Sequence, residues 1–161
     1  MEFECHLEDN IFQLHFDLAS QTYRHSPYHT FHIYDPKFRI ISKAAVKDRL
    51  VHHLVFKELC RIFEPSFIYH SYSSRLDKGT HLAVENLENT LRKTSRNYCH
   101  SVFALKCDIK QFFHSISHQK LLVIIKRKVK DEKFLWLVQE IVNSFNSSVD
   151  NFPQREMIVL K

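Results

Sequence analysis

One glycine, Gly79, serves the whole 161-residue chain, and no other feature limits its fold as much. Glycine-rich phosphate loops need several glycines at fixed spacing, because the backbone itself must approach the ligand. P-loop and dinucleotide-binding architectures are therefore excluded. The remaining composition is that of a folded protein: 44% hydrophobic and 13% aromatic content, at a length able to bury a sizeable core, predict one domain. Cys5, Cys60, Cys99 and Cys107 show no C-x-x-C spacing and follow no apolar signal segment. Reduced thiols in a cytoplasmic protein are expected, and zinc is not. No run approaches the ~18 apolar residues of a membrane span, so no membrane role is expected.

Charge is unevenly placed. Glu2, Glu4, Glu8, Asp9 and Asp17 precede the first basic residue, Arg24, leaving all 23 Lys and Arg against the other 13 acids, a formal +10. Such a body suits a polyanion, through counterion release, as well as a merely solvated positive face. The histidines His25, His29, His32, His52 and His53 follow no metal-ligand spacing and read as surface or packing residues.

Along the chain, residues 29–34 and 38–42 read as two strands joined at Asp35-Pro36-Lys37, where proline presets φ. A helix over 43–63 follows, with Val46, Leu50, Leu54, Leu59 and Ile62 at helical spacing and Pro65 ending it. Residues 71–79 are polar and irregular. Thr80 is then a candidate cap for a helix burying Val84, Leu87 and Leu91, while Ser117 and Asp131 are candidate caps for two later helices. Between them, the β-rich run 101–107 reads as a central strand delivering Asp108 to its C-terminal edge. A carboxylate there can hold a divalent cation, although two-metal chemistry needs a second carboxylate.

Four stretches carry a resemblance: Tyr34-Asp35-Pro36-Lys37-Phe38-Arg39-Ile40-Ile41; Lys47-Asp48-Arg49-Leu50-Val51-His52-His53; Ser71-Tyr72-Ser73-Ser74-Arg75 running to Lys78-Gly79-Thr80-His81; and residues 105–118 around Asp108. In this order they resemble the fingers and first palm segment of a reverse transcriptase, nearest to the bacterial group II intron and diversity-generating retroelement enzymes. The resemblance covers residues 22–145. It implies an α+β fold of reverse-transcriptase-like fingers plus partial palm, truncated before the Tyr-x-Asp-Asp hairpin and the thumb. It divides the chain into an acidic variable segment (1–21), a fingers-like region (22–100), a partial palm (101–145) and a divergent tail (146–161).

The implied activity is RNA-directed DNA polymerisation, with an RNA template, a DNA primer, deoxynucleoside triphosphates and Mg2+. Asp108 matches the first catalytic aspartate, and the backbone carbonyl of Ile109 would touch the nucleotide-side metal. Phe113 matches the aromatic beneath the incoming sugar, where a ring excludes a ribose 2′-hydroxyl; Phe112 and Phe113 as core plugs is the plainer alternative. Lys37 and Arg39 match the cations that close on the triphosphate. Arg75, Lys78, Gly79 and Thr80 fall where the family tracks template, with Arg75 equally able to tie its loop in place. Lys47, Asp48 and Arg49 read as a local charge cluster rather than a catalytic group.

The aspartates that complete the family's metal site do not occur: after Phe145 the chain reads Asn146-Ser147-Ser148-Val149-Asp150 and stops at Lys161. The expectation is an N-terminal portion unable to polymerise alone, whose partner would be the absent C-terminal part. The alternative is a non-catalytic RNA- or DNA-binding remnant or regulatory partner. An unrelated basic interaction domain is the third.

Overall fold

The computed structural model describes residues 5–34, 36–109 and 112–145. Asp35, Asp150 and the whole tail lie outside them. The described elements are α1 (Leu7–Ala19), β1 (His29–Ile33), β2 (Arg39–Lys43), α2 (Val46–Phe63), a 3-10 turn (Glu64–Ser66), α3 (Thr80–Thr94), α4 (Phe112–Ser115), α5 (His118–Lys128) and α6 (Glu132–Ser144). Helices predominate beside one two-stranded antiparallel sheet, an α+β-like mixture. No helix among the described residues is long and apolar enough to cross a membrane.

Local chemistry explains several boundaries. β1 pairs with β2 from His29↔Lys43 to Ile33↔Arg39, so the hairpin forms where alternation and Pro36 place it. Ser117 caps α5 by accepting from the Lys120 N–H at 3.4 Å, and Asp131 caps α6 by accepting from the Phe134 N–H at 2.8 Å. α3 differs: it starts at Thr80 itself, Gly79 occupies the cap position and no side chain caps it.

The chain divides into two compact units, Met1–Lys57 with Phe113–Lys161, and Glu58–Phe112. In the first, Leu14, Tyr23, Ala44, Val51, Val55, Ile125, Val129 and Val138 are buried, and α5 packs on α6. The buried face of α2 is Asp48, Val51 and Val55, whereas Leu50 and Leu54 are exposed. This face is rotated by about one residue, or about 100°, from the Val46-Leu50-Leu54 stripe, because a carboxyl occupies a core position. Asp48 is 0% exposed, and its two oxygens accept from the Tyr23 hydroxyl at 2.6 Å and the Ser26 N–H at 3.1 Å. Burial, then the neighbouring Asp48, holds the Tyr23 phenol's pKa far above its ordinary value.

The second unit holds α3 and the loop before it. Val84 and Leu87, expected to be buried, are exposed, and Leu91 is half-buried. Periodicity groups residues on one face, but burial needs a surface to meet that face. The strand expected at 101–107 does not form either: these residues carry no ladder, and Phe103 and Leu105 are 99% and 90% exposed. Alternation supplies a strand's faces, and only a hydrogen-bonded neighbour makes it one. Among the described residues the sole ladder is β1–β2.

Candidate functional site

The hairpin carries two of the exposed cations of the first unit. Lys37 follows Pro36 at the tip and Arg39 opens β2, opposite Ile33. Both are exposed, and among the described residues neither side chain is engaged by a hydrogen bond or ion pair. Exposed cations at the end of a short sheet can meet an anion without first giving up a partner.

In the second unit, Arg75 is committed to its own loop. Its Nε donates to Glu64 Oε1 at 2.7 Å, and its Nη1 donates to the carbonyls of Ile68 and Ser71 at 3.0 and 2.9 Å. The guanidinium also lies 5.5 Å from the centre of the Phe67 ring, and the side chain is only 11% exposed. Of the two roles open to it, tying the loop is the one this geometry performs. Lys78 does related work: Nζ donates to the Tyr69 carbonyl at 3.0 Å and sits over the Tyr69 ring at 3.9 Å and the Tyr72 ring at 5.3 Å. Gly79, at φ 122 and ψ −177, makes the turn into α3, whose first residue Thr80 is exposed. That backbone conformation is open essentially to glycine alone.

Asp108 and Ile109 belong to the second unit and are exposed. Asp108 has no hydrogen-bond or ion-pair partner among the described residues. No group of three or more His, Cys, Asp or Glu among the described residues is arranged to hold a metal ion. One carboxylate with one carbonyl is a smaller donor set than a two-metal centre requires, so the described residues do not make up a complete magnesium site.

Phe113 belongs to the first unit, in α4, and is 79% exposed. With Tyr28, Leu121, Ile141 and Phe145 it borders an apolar cleft of about 380 Å³. Phe112 is 47% exposed, so neither ring is a core plug. Asp48 is the residue whose importance the sequence hid. Its signal was an acid placed at i−3 and i−7 from Val51 and Val55, on the face that proves buried.

Comparison with known proteins gives distant and partial similarity. No protein-family model matches the chain. It is 29% identical over 106 residues to the "Uncharacterized 91 kDa protein in cob intron" of Schizosaccharomyces pombe, covering 66% of this chain and 12% of that protein. It is 23% identical over 116 residues to "Protein YkfC" of Escherichia coli, covering 72% and 30%. It is 22% identical over 154 residues to the "Putative COX1/OXI3 intron 2 protein" of Saccharomyces cerevisiae, covering 88% and 17%. The chain thus spans between about an eighth and a third of these curated relatives, and its distant relatives include proteins of introns.

Proposed function

We propose that this chain is the fingers and first palm segment of a reverse transcriptase from a group II intron-like or diversity-generating retroelement. It engages RNA template and deoxynucleoside triphosphates without polymerising by itself. The observation that carries this reading is the agreement between the order of four motif stretches and the intron setting of two relatives. Lys37 and Arg39 then present positive charge to a triphosphate or a backbone phosphate, and Phe113 presents a ring face to a sugar. Arg75 and Lys78 shape the template loop from within, leaving Gly79 and Thr80 to bring backbone amides to a phosphate. Asp108 contributes one carboxylate to a metal site that only a longer protein completes, with primer strand and Mg2+ belonging to that protein.

The second reading, a nucleic-acid-binding module without chemistry, is favoured by the single carboxylate at the expected metal position. Primer extension separates the two from an active enzyme: the 161-residue chain with Mg2+, primed RNA and deoxynucleotides is expected to give no product. Product that disappears in Asp108→Ala would overturn the incompleteness of the site. Both readings require RNA binding, measured by fluorescence anisotropy, to weaken about tenfold when Lys37 and Arg39 become alanine, the loss of ~1.4 kcal/mol that one or two charge-assisted contacts supply. Unchanged affinity would remove the hairpin from the site.

A further inference from the structure

In the first unit, residues 23–28 are clasped to α2 and α6 by polar contacts. The Tyr23 hydroxyl and the Ser26 N–H donate to Asp48, and the His25 N–H donates to Glu140 Oε1 at 3.3 Å. At the middle of the clasp His25 and His52 meet Nε2 to Nε2 at 3.0 Å. Their ring planes differ by 17° with centroids 5.1 Å apart. Two imidazoles with nearly parallel planes, meeting nitrogen to nitrogen, share a proton between those nitrogens; ligands of a common ion would converge on a point instead.

The proton positions follow from the partners. His25 Nδ1 lies 2.6 Å from the Ser26 carbonyl, which can only accept, so Nδ1 carries the proton and Nε2 is bare. His52 therefore donates through Nε2. A second proton on His25 would leave two N–H groups facing each other, and a second proton on His52 would put a cation into a half-buried site.

We propose that the His25–His52 pair is a proton-operated latch, holding the segment that leads into β1 against α2 at neutral pH and releasing it in acid. The surroundings act in both directions. Burial chiefly, with His25 and the adjacent His53, lowers the proton affinity of His52, while Asp48 raises it. From the other elements, Tyr28 stacks on His25 at 4.8 Å, Glu140 of α6 is engaged by Arg24 at 2.9 Å, and Lys47 faces the Tyr23 ring at 5.9 Å. Once released, His52 leaves the burial that lowers its proton affinity and recovers an ordinary one. Docked His52 binds its second proton less readily than released His52, so release gains as pH falls, by up to about tenfold per pH unit. The latch stands independently of any nucleic-acid role.

The Ser26 amide reports it, because its protection requires Asp48 in place. In hydrogen exchange on the 161-residue chain, its protection factor, corrected for intrinsic exchange, is expected to fall about tenfold or more between about pH 7.5 and 5.5. In His52→Gln, whose amide can donate to His25 or accept from it, the fall is expected to be largely abolished. A change below about twofold in the parent, or an equal fall in His52→Gln, overturns the latch. If the variant does not fold, imidazole titration by NMR in the parent decides: coupled steps with His52 depressed support it, and two independent titrations near about 6.5 refute it.

Discussion

Replacing Asp48 by alanine would strand two donors at once, the buried Tyr23 hydroxyl at 2.6 Å and the half-buried Ser26 N–H at 3.1 Å. Each buried donor left unmade costs about 1–3 kcal/mol, so Asp48→Ala should lose roughly 3 kcal/mol or more in urea unfolding. Tyr23→Phe removes one donor together with its need for a partner and should lose about 1.5 kcal/mol, while Asp48→Asn keeps an acceptor oxygen and should fall between parent and alanine. A loss in Asp48→Ala no larger than in Tyr23→Phe would refute the network. The same pair sets an alkaline limit. Because the folded state holds the Tyr23 phenol's pKa far above its ordinary value, the unfolded chain releases that proton first. Stability is then fully present below about pH 10 and declines as pH rises above it, which thermal unfolding across alkaline buffers checks. Gly79 makes a separate point at this scale. A Cβ there would meet nothing within 4 Å, so Gly79→Ala is penalised by φ +122 alone, and about 1–3 kcal/mol is expected.

The loop between the 3-10 turn and α3 is built around Arg75, and its integrity is testable without touching any ligand. Arg75→Lys keeps the charge but loses the fork that reaches Glu64, Ile68 and Ser71 together. The amides of Phe67 and Ser71, which donate to Glu64 and Ile68 carbonyls, should lose about tenfold in exchange protection, the equivalent of ~1.4 kcal/mol for one or two bonds. Full protection would mean that the loop does not need the guanidinium. Elements like this one separate what a sequence displays from what it conceals. The hairpin was legible because alternation and Pro36 act within a few residues, and so were the caps at Ser117 and Asp131, whose bonds span three residues. For Arg75 the loop tie was one of two legible roles, but its partners were not, since they are mainly carbonyls, which every residue carries and no composition reveals. The α2 face was misread because hydrophobic spacing has no means of placing Asp48 inside. Residues 101–107 failed for another reason: strand propensity is local, whereas a ladder requires a neighbour.

Taken as a whole, the chain segregates its charge, with five acids before Arg24 and a formal +10 from there on, and if the proposed RNA binding holds, that asymmetry should be readable in its salt dependence. Each phosphate neutralised on a single strand releases counterions and contributes about −0.7 to the slope of log affinity against log salt. If Lys37 and Arg39 both meet phosphates, neutralising the pair should flatten the slope by about 1.4, whatever the RNA sequence. Under the proposed reading the exposed acids of α1 act differently, because carboxylates are not drawn to a phosphate and would influence the strand only through solvent. At physiological ionic strength a field of that kind is screened within about 8 Å. Changing Glu8 and Asp9 to their amides should therefore alter affinity less than about twofold and leave the slope unchanged. A gain of tenfold or more from those amides would place α1 beside the RNA path. A slope unaffected by Lys37 and Arg39 would instead mean that the basic residues after Arg24 act as a diffuse cloud. In that case the hairpin's exposed cations would be solvated surface, and the proposed template face would have to be sought among the lysines and arginines of α5 and its neighbours.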